Sequence, residues 1–226
     1  MRKFITLFVV IFVTVFGLYA QTPQQLISKL CSKFSMVKDF KSDVGIEFMI
    51  PSIKLEKMSG KVYYKQPDQY KVKLTGVAFL PKQNPYALFN LLKDSSKYIA
   101  VLNGIEKING TECYFLNIIP LNDPDWVLAK LWVSKKDNSL LQTDITTRSN
   151  GSVMASYQYA PEMRYALPSA IEFRVDMHTF KLPKMISVDL NSKAKKTDAG
   201  KNATGLIRFS FKEYQINKGV KDEELK

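Results

Sequence analysis

The chain has 226 residues, of which 46% are hydrophobic, 12% aromatic and 24% charged, and its formal net charge is +12. This composition supplies enough apolar material for one domain with a sizeable core, and it excludes an intrinsically disordered chain. The positive charge favours anionic partners such as lipid headgroups, acidic glycans or nucleic acid.

The first twenty residues have the pattern of a secretory signal peptide. Arg2 and Lys3 precede an apolar run over residues 4–18, and Ala20 is a small residue at the expected cleavage position. We predict that residues 1–20 are removed and that residues 21–226 form one exported domain. Its net charge is +10, because the removed segment carries two basic and no acidic residues. The alternative is an uncleaved membrane anchor, but the run is shorter than the about 20 residues that a span needs.

A helix is predicted at the start of the mature domain. Thr22 is suited to the N-cap, Pro23 to the first helical position and Gln25 to a capping box. Apolar residues then recur with helical spacing at Leu26, Leu30 and Phe34.

Most of the remaining chain alternates apolar and polar residues with a period of two, which is typical of strands with one buried face. The clearest example runs from Gly60 to Leu74, where Gln66-Pro67-Asp68-Gln69 predicts a tight turn between two strands. Asn103-Gly104 predicts another hairpin turn, between strands at 98–102 and 105–108. In all, about eleven antiparallel strands are predicted, the last two at 185–190 and 206–215.

The strand pattern is interrupted from Phe79 to Asp94. Pro85 fits the N-terminus of a helix, and the following run from Tyr86 to Leu92 is more apolar than a surface helix needs. We predict one short helix here that serves as a lid. Hydrogen exchange over 79–92 should then be faster than in the strands, because an entrance has to open.

Strands with one apolar face must cover it by closing into a barrel, stacking on a second sheet or curling around helices. Only two helices are predicted. The predicted fold is therefore mainly β, a single antiparallel and strongly curved incomplete β-barrel, closed by the N-terminal helix and the short internal lid. Such a sheet would enclose an apolar cavity.

The residues predicted to line this cavity are the apolar members of the alternating strands and of the lid. On the strands they are Val44, Ile46, Phe48, Val62, Tyr64, Val72, Leu74, Phe115, Leu131, Val133, Ile145, Ile171 and Phe173. On the lid they are Leu88, Phe89 and Leu92. The alternative is a solid core made of the same side chains. A register error of one residue would also exchange the two faces of a strand.

No catalytic or metal-binding pattern is recognisable. His178 is the only histidine, no Gly-x-Ser-x-Gly motif occurs, and we predict no enzymatic activity, no cofactor and no metal. The only cysteines are Cys31, in the predicted helix, and Cys113, in a predicted strand. An oxidising compartment would allow one disulfide between them, but we favour two buried free thiols.

A resemblance to a known family rests on the hairpin from Gly60 to Leu74, GKVYYKQPDQYKVKL. It resembles the opening hairpin of the bacterial outer-membrane lipoprotein carriers, the LolA-like proteins. The positions that match the family pattern are Gly60, Val62, Tyr63, Tyr64, Lys65, Pro67 and Tyr70. A second hairpin, Lys130-Leu131-Trp132-Val133 with Leu140-Leu141-Gln142-Thr143, is similar to one in the related RseB-type envelope-stress sensors.

The resemblance implies an incomplete β-barrel whose apolar interior holds acyl chains. It further implies a monomeric periplasmic protein of lipoprotein sorting or lipid transport. Its partners would be lipid or lipoprotein acyl chains and membrane proteins of the inner and outer membranes. The predicted export argues against nucleic acid as a partner, and signal cleavage would leave no membrane span. The alternative is an RseB-like sensor or adaptor that binds membrane proteins without transporting cargo.

One position departs from the family pattern. The family's arginine before the motif proline, which helps to lock the lid, is Gln66 here. An amide can hydrogen-bond but carries no charge. The missing charge bears on gating and on the energised hand-off of lipoproteins. It does not bear on the lipid binding that the resemblance implies.

Overall fold

A computed structural model of the chain describes residues 21–49, 56–74, 86–149, 151–160, 165–176 and 204–225. Over these ranges it shows two α-helices, α1 (Pro23–Ser35) and α2 (Ala87–Leu92). The strands are β1 (Asp39–Met49), β2 (Met58–Lys65), β3 (Gln69–Leu74), β4 (Tyr98–Ile108), β5 (Thr111–Pro120), β6 (Trp126–Ser134), β7 (Leu140–Thr147), β8 (Gly151–Gln158), β9 (Ala170–Asp176) and β10 (Thr204–Ile216). Short 3₁₀ turns lie at Ser95–Lys97 and Asp222–Glu224.

All ten strands belong to one curved antiparallel sheet. Their order across the sheet is β3-β2-β1-β10-β9-β8-β7-β6-β5-β4, so β3 and β4 form its two edges. Because these edges are not paired with each other, the sheet does not close into a barrel. The prediction of a mainly β, incomplete barrel with two helices is confirmed.

The N-terminus of α1 has the predicted capping box. The Thr22 amide donates a hydrogen bond to Gln25 Oε1 at 3.0 Å, and the Gln25 amide donates to Thr22 Oγ1 at 3.2 Å. These bonds satisfy amides that the first helical turn leaves without partners. The buried face of α1 consists of Leu26, Ile27, Leu30, Cys31 and Phe34.

The hairpin predicted at Asn103-Gly104 is wrong. The chain continues through this dipeptide in one strand, β4, and the pairing of β4 with β5 shifts between Leu102 and Gly104. Gly104 has a φ of 130°. A β-bulge can use the same permissive residues as a hairpin turn, so the dipeptide alone does not distinguish the two structures.

Several predictions lie outside the described residues. They are the signal peptide at 1–20, the lid segment at 79–85, the strand at 185–190 and the position of His178. About eleven strands were predicted, and the described ranges contain ten. The two strands predicted at 98–102 and 105–108 form the single strand β4.

The core lies between the concave face of the sheet and the two helices. Its centre is Phe34, whose ring lies 4.5 Å from Phe89, 5.3 Å from Tyr86 and 5.6 Å from Tyr64, measured between centroids. Phe40 of β1 stacks on Tyr64 at 5.4 Å. We call these five rings the aromatic cluster. They attach α1, and the segment that contains α2, to the β1–β2 end of the sheet.

Both cysteines are buried and free, as predicted. Cys31 lies on α1 and Cys113 on β5. Burial raises the pKa of the Cys31 thiol to about 11, and burial also raises the pKa of Cys113. Both side chains are therefore neutral thiols at physiological pH, which suits packing rather than redox chemistry.

Candidate functional site

An almost wholly apolar row of side chains crosses the concave face of the sheet. Its members are direct cross-strand partners from β1 to β4: Phe48, Ile207, Phe173, Ala155, Thr143, Leu131, Leu116 and Leu102. Thr143 is the polar member of this row, and its hydroxyl lies 3.4 Å from the Tyr157 hydroxyl. Six of these eight side chains are buried and belong to the packed interior, whereas Phe173 and Leu102 keep part of their surface exposed.

The structure places most of the predicted cavity residues on this concave side. Those buried in the core are Val44, Ile46, Phe48, Val62, Tyr64, Leu131, Val133, Ile171, Leu88, Phe89 and Leu92. Those only partly buried against the core are Val72, Leu74, Ile145 and Phe173. The alternation of β1, β2, β3 and β9 was therefore assigned to the correct face.

The assignment of Phe115 to the interior is wrong. Its ring stacks on Trp132 at 5.0 Å with an interplanar angle of 13°, outside the core cluster. Trp132 Nε1 donates a hydrogen bond to Glu106 Oε2 at 2.7 Å. Tyr114 and Leu116 pack against the core instead. Apolar residues occupy consecutive positions here, so alternation does not decide which of them faces inward.

The inward residues of β10 were missed by the sequence prediction. They are Ile207, Phe209 and Phe211, and all three are buried in the core. They alternate with Arg208, Ser210 and Lys212. This period of two was a sufficient signal to include them.

The concave side is packed at one end. Tyr64 is fully buried, with Phe34, Phe40 and Tyr86 around its ring at 5.3–5.6 Å. Burial raises the pKa of Tyr64 to about 12 and raises that of Tyr86 well above its ordinary value. Side chains of the protein itself surround this end of the interior.

The concave side is less completely covered elsewhere. Val72, Leu74, Ile145 and Phe173 point toward the core but keep part of their surface exposed. We call these four residues the half-buried set. Val72 and Leu74 belong to the edge strand β3, which has a strand neighbour on one side only within the described ranges. Phe173 meets the edge of Phe209 at 5.5 Å. The half-buried set thus offers accessible apolar surface on three strands, β3, β7 and β9.

Gln66, the predicted gating position, fastens the β2–β3 turn to the end of α1. Its Nε2 donates hydrogen bonds to the carbonyl oxygens of Val37 at 2.8 Å and Ser35 at 3.4 Å. Its backbone amide donates to the Lys38 carbonyl oxygen at 2.8 Å. These bonds satisfy carbonyl groups at and just beyond the C-terminal end of the helix.

The described residues form neither a metal-binding cluster nor a membrane-spanning helix. Among the residues that the structure describes, no group of three or more His, Cys, Asp and Glu side chains could hold a metal ion. Within the same ranges, no helix has the length and apolar character required to cross a bilayer.

Comparison with known proteins defines the class of fold. No protein-family model and no curated protein matches the chain. A LolA superfamily protein from Nitrosomonas europaea has a TM-score of 0.59 at 13% identity, covering 92% of this chain and 98% of its own. A DUF1329 family protein from Desulfovibrio piger has a TM-score of 0.56 at 13% identity, covering 91% and 98%. A domain from Vibrio parahaemolyticus described as an outer membrane lipoprotein-sorting protein has a TM-score of 0.52 at 10% identity, and the match covers 90% of this chain and 95% of that domain.

The open, curved sheet with helices on its concave side is therefore the LolA-like fold. The likeness extends over nearly the whole chain in each comparison. At 10–13% identity it establishes the architecture, and ligand and function follow from the site rather than from the fold.

Proposed function

We propose that this protein is an exported binding protein or carrier that holds lipid or lipoprotein acyl chains against the concave face of its sheet. The half-buried set carries the proposal, because these apolar side chains point toward the core and yet remain partly accessible. Apolar surface in a concave site is the usual environment for an apolar ligand. The likeness to a lipoprotein-sorting domain supports the same proposal.

The binding energy of such a ligand would come from burial of its methylene groups, at about 0.8 kcal/mol each. This attraction is non-directional, so it needs no catalytic group. Affinity should rise with acyl length until the accessible apolar surface is covered. Selectivity for the length and shape of the chain should be low, and recognition of a particular lipid would depend on polar groups outside the concave face.

A matched pair of aspartate substitutions tests the proposal. Val72→Asp places a carboxylate within the half-buried set, and Val101→Asp makes the same change on β4 at a side chain that is 41% exposed. An unpaired carboxylate is costly to bury under a ligand. We expect Val72→Asp to lower the affinity for a fluorescent fatty acid at least about tenfold. Val101→Asp should leave this affinity unchanged.

The outcomes distinguish a wrong function from a wrong location of the ligand. If the wild-type protein binds no fatty-acid probe at any chain length, the carrier function is refuted, and the RseB-like sensor or adaptor becomes the better hypothesis. If the wild type binds but folded Val72→Asp binds equally well, the ligand lies elsewhere than on the half-buried set. Circular dichroism of both variants confirms that each is folded.

The proposed setting is the periplasm, after removal of residues 1–20. N-terminal sequencing of protein recovered from an expressing bacterium's envelope fraction tests this step. A mature chain that begins at Gln21 is the expected result. Recovery of a chain that begins at Met1 in the membrane fraction would instead support the uncleaved anchor.

A further inference from the structure

Two like charges face each other on the outer side of the β2–β3 hairpin. Lys61 and Lys73 are direct cross-strand partners. Side chains in this arrangement start only about 5 Å apart at Cβ, and like charges at directly opposed positions destabilise a sheet. Lys71 lies two residues before Lys73 and therefore points to the same face. We call Lys61, Lys71 and Lys73 the lysine cluster.

Two members of the cluster have partners that fix the position of their ammonium groups. Lys61 Nζ lies 3.4 Å from Asp43 Oδ1 on β1, with both side chains well exposed. Lys73 Nζ lies 5.6 Å above the ring of Tyr63, which is 8% exposed. The sequences of β2 and β3 contain four lysines and no acidic residue. The hairpin thus concentrates positive charge on its outer face.

The aromatic ring between the lysines fixes their arrangement. Tyr63 is the cross-strand partner of Lys71 and lies under the ammonium group of Lys73. A cation over an aromatic face is attracted to it, and the aliphatic stems of lysine cover apolar surface while the charge stays in water. The ring therefore supports the ammonium group of Lys73, whose side chain is exposed on the outer face.

The position of the cluster connects it with the concave face. β3 is an edge strand, and Val72 and Leu74, on its inner side, belong to the half-buried set. Lys71 and Lys73 are on its outer side. One short strand thus presents cations on one face and accessible apolar side chains on the other. These are the chemistries that match the phosphate and the acyl chain of an anionic lipid.

We propose that the lysine cluster is a docking surface for an anionic lipid bilayer. The net charge of +10 over residues 21–226 supports attraction to such a surface. Exposed lysines hold a single small anion weakly, because solvent screens each contact. A bilayer presents many phosphate groups within one Debye length, and each lysine near it increases partitioning about fivefold. The surface is distinct from the acyl site and does not depend on it.

Co-sedimentation with vesicles tests this surface. The vesicles are pure phosphatidylcholine or an equal mixture of phosphatidylcholine and phosphatidylglycerol. The wild type should bind the anionic vesicles and not the neutral ones, and added salt should weaken binding. The double variant Lys71→Gln/Lys73→Gln should partition about 25-fold less, because two charges are lost. Lys71→Arg/Lys73→Arg should bind as the wild type does.

A control pair separates the cluster from net charge. Lys97→Gln/Lys130→Gln removes the same charge at two lysines that form ion pairs with Asp94 and Asp144. This variant should keep most of the binding. Equal losses in the two glutamine variants, or no binding of the wild type to anionic vesicles, would overturn the docking surface. Displacement by inorganic phosphate at constant ionic strength would also overturn it, since free phosphate would then be the ligand.

Folding and acyl binding are measured in parallel. Circular dichroism and thermal unfolding of the Lys71→Gln/Lys73→Gln variant show whether it is folded, so that a loss of vesicle binding can be assigned to the lost charges. The affinity of this variant for the fluorescent fatty acid should equal that of the wild type. Vesicle binding without fatty-acid binding would refute the carrier function and retain the docking surface, so failures of the two proposals remain distinguishable.

Discussion

Replacing Phe34 with alanine should loosen both helices from the sheet. Phe34 is fully buried on α1, and its ring contacts Phe89 on α2, Tyr86 immediately before α2, and Tyr64 on β2. A single side chain therefore joins the three parts of the structure at the packed end of the concave face. No other ring of the aromatic cluster belongs to α1.

The expected loss follows from the atoms removed. Truncation of a buried phenylalanine to alanine costs about 3–5 kcal/mol, including the cavity that remains. Each aromatic pair adds about 0.5–1.5 kcal/mol beyond its buried area, and Phe34 has three such pairs. The loss should therefore lie near the upper end of the range. Against a total stability of about 5–15 kcal/mol, this is a large fraction.

The assay is urea unfolding followed by circular dichroism. Phe115→Ala is the matched control, because it deletes the same atoms from a half-buried ring that stacks on Trp132 outside the core cluster. We expect Phe34→Ala to lower the free energy of unfolding by at least about 1 kcal/mol more than Phe115→Ala. Equal losses would show that the aromatic cluster does not hold the helices as inferred.

Three further predictions concern a glycine in β2, the Gln66 side chain and the response of stability to pH. Gly60→Ala should cost about 1–3 kcal/mol in urea unfolding, because its new methyl group meets the backbone of β3, whereas Gly45→Ala has open space and should cost less. Gln66→Ala should lower stability by about 1 kcal/mol and speed hydrogen exchange at the end of α1, and unchanged exchange would refute that tie. Stability should fall as pH rises from about 9 toward 12, because burial raises the pKa of Cys31 to about 11 and of Tyr64 to about 12. The folded state then retains protons that the unfolded chain releases, and a urea midpoint constant over this range would contradict the assignment.

Local signals in the sequence were sufficient where neighbouring residues determine the structure. The cap of α1 depends on Thr22 and Gln25, three residues apart, and forms as predicted. The β2–β3 hairpin depends on a turn between two alternating segments, and the two predicted strands pair as a hairpin, from Gly60 with Leu74 to Lys65 with Gln69. Such patterns need no knowledge of the rest of the fold.

Prediction failed where a local signal allows two structures. A glycine with positive φ serves a bulge as well as a turn, and at Gly104 the pairing with β5 determines which one forms. At Phe115 the neighbouring residues are also apolar, so the inward face depends on pairing with β6. Both outcomes are decided by contacts between strands, which sequence spacing does not contain.

The packed end of the concave face was equally beyond a local prediction. Alternation assigned Tyr64 to the interior correctly, but the filling of that interior depends on where α2 docks. Phe34 and Phe89 are 55 residues apart in sequence and their ring centroids are 4.5 Å apart. The division of the face into a packed end and the half-buried set is thus a tertiary property.

The β2–β3 hairpin takes part in both proposals, since it carries the lysine cluster and two members of the half-buried set. Its two ends are held differently. At the turn, Gln66 binds the carbonyl groups near the end of α1. Toward the other end of β3, Leu74 is only partly covered and has strand pairing on one side. A neutral amide makes a weaker tie than the arginine of the resembled family, since charge-assisted hydrogen bonds are roughly twice as strong. The Gln66 tie thus contributes less than that arginine would, and the contact between Tyr64 and Phe34 also holds the hairpin to α1. Contact of the lysine cluster with a membrane would then act on the strand that borders the accessible apolar surface.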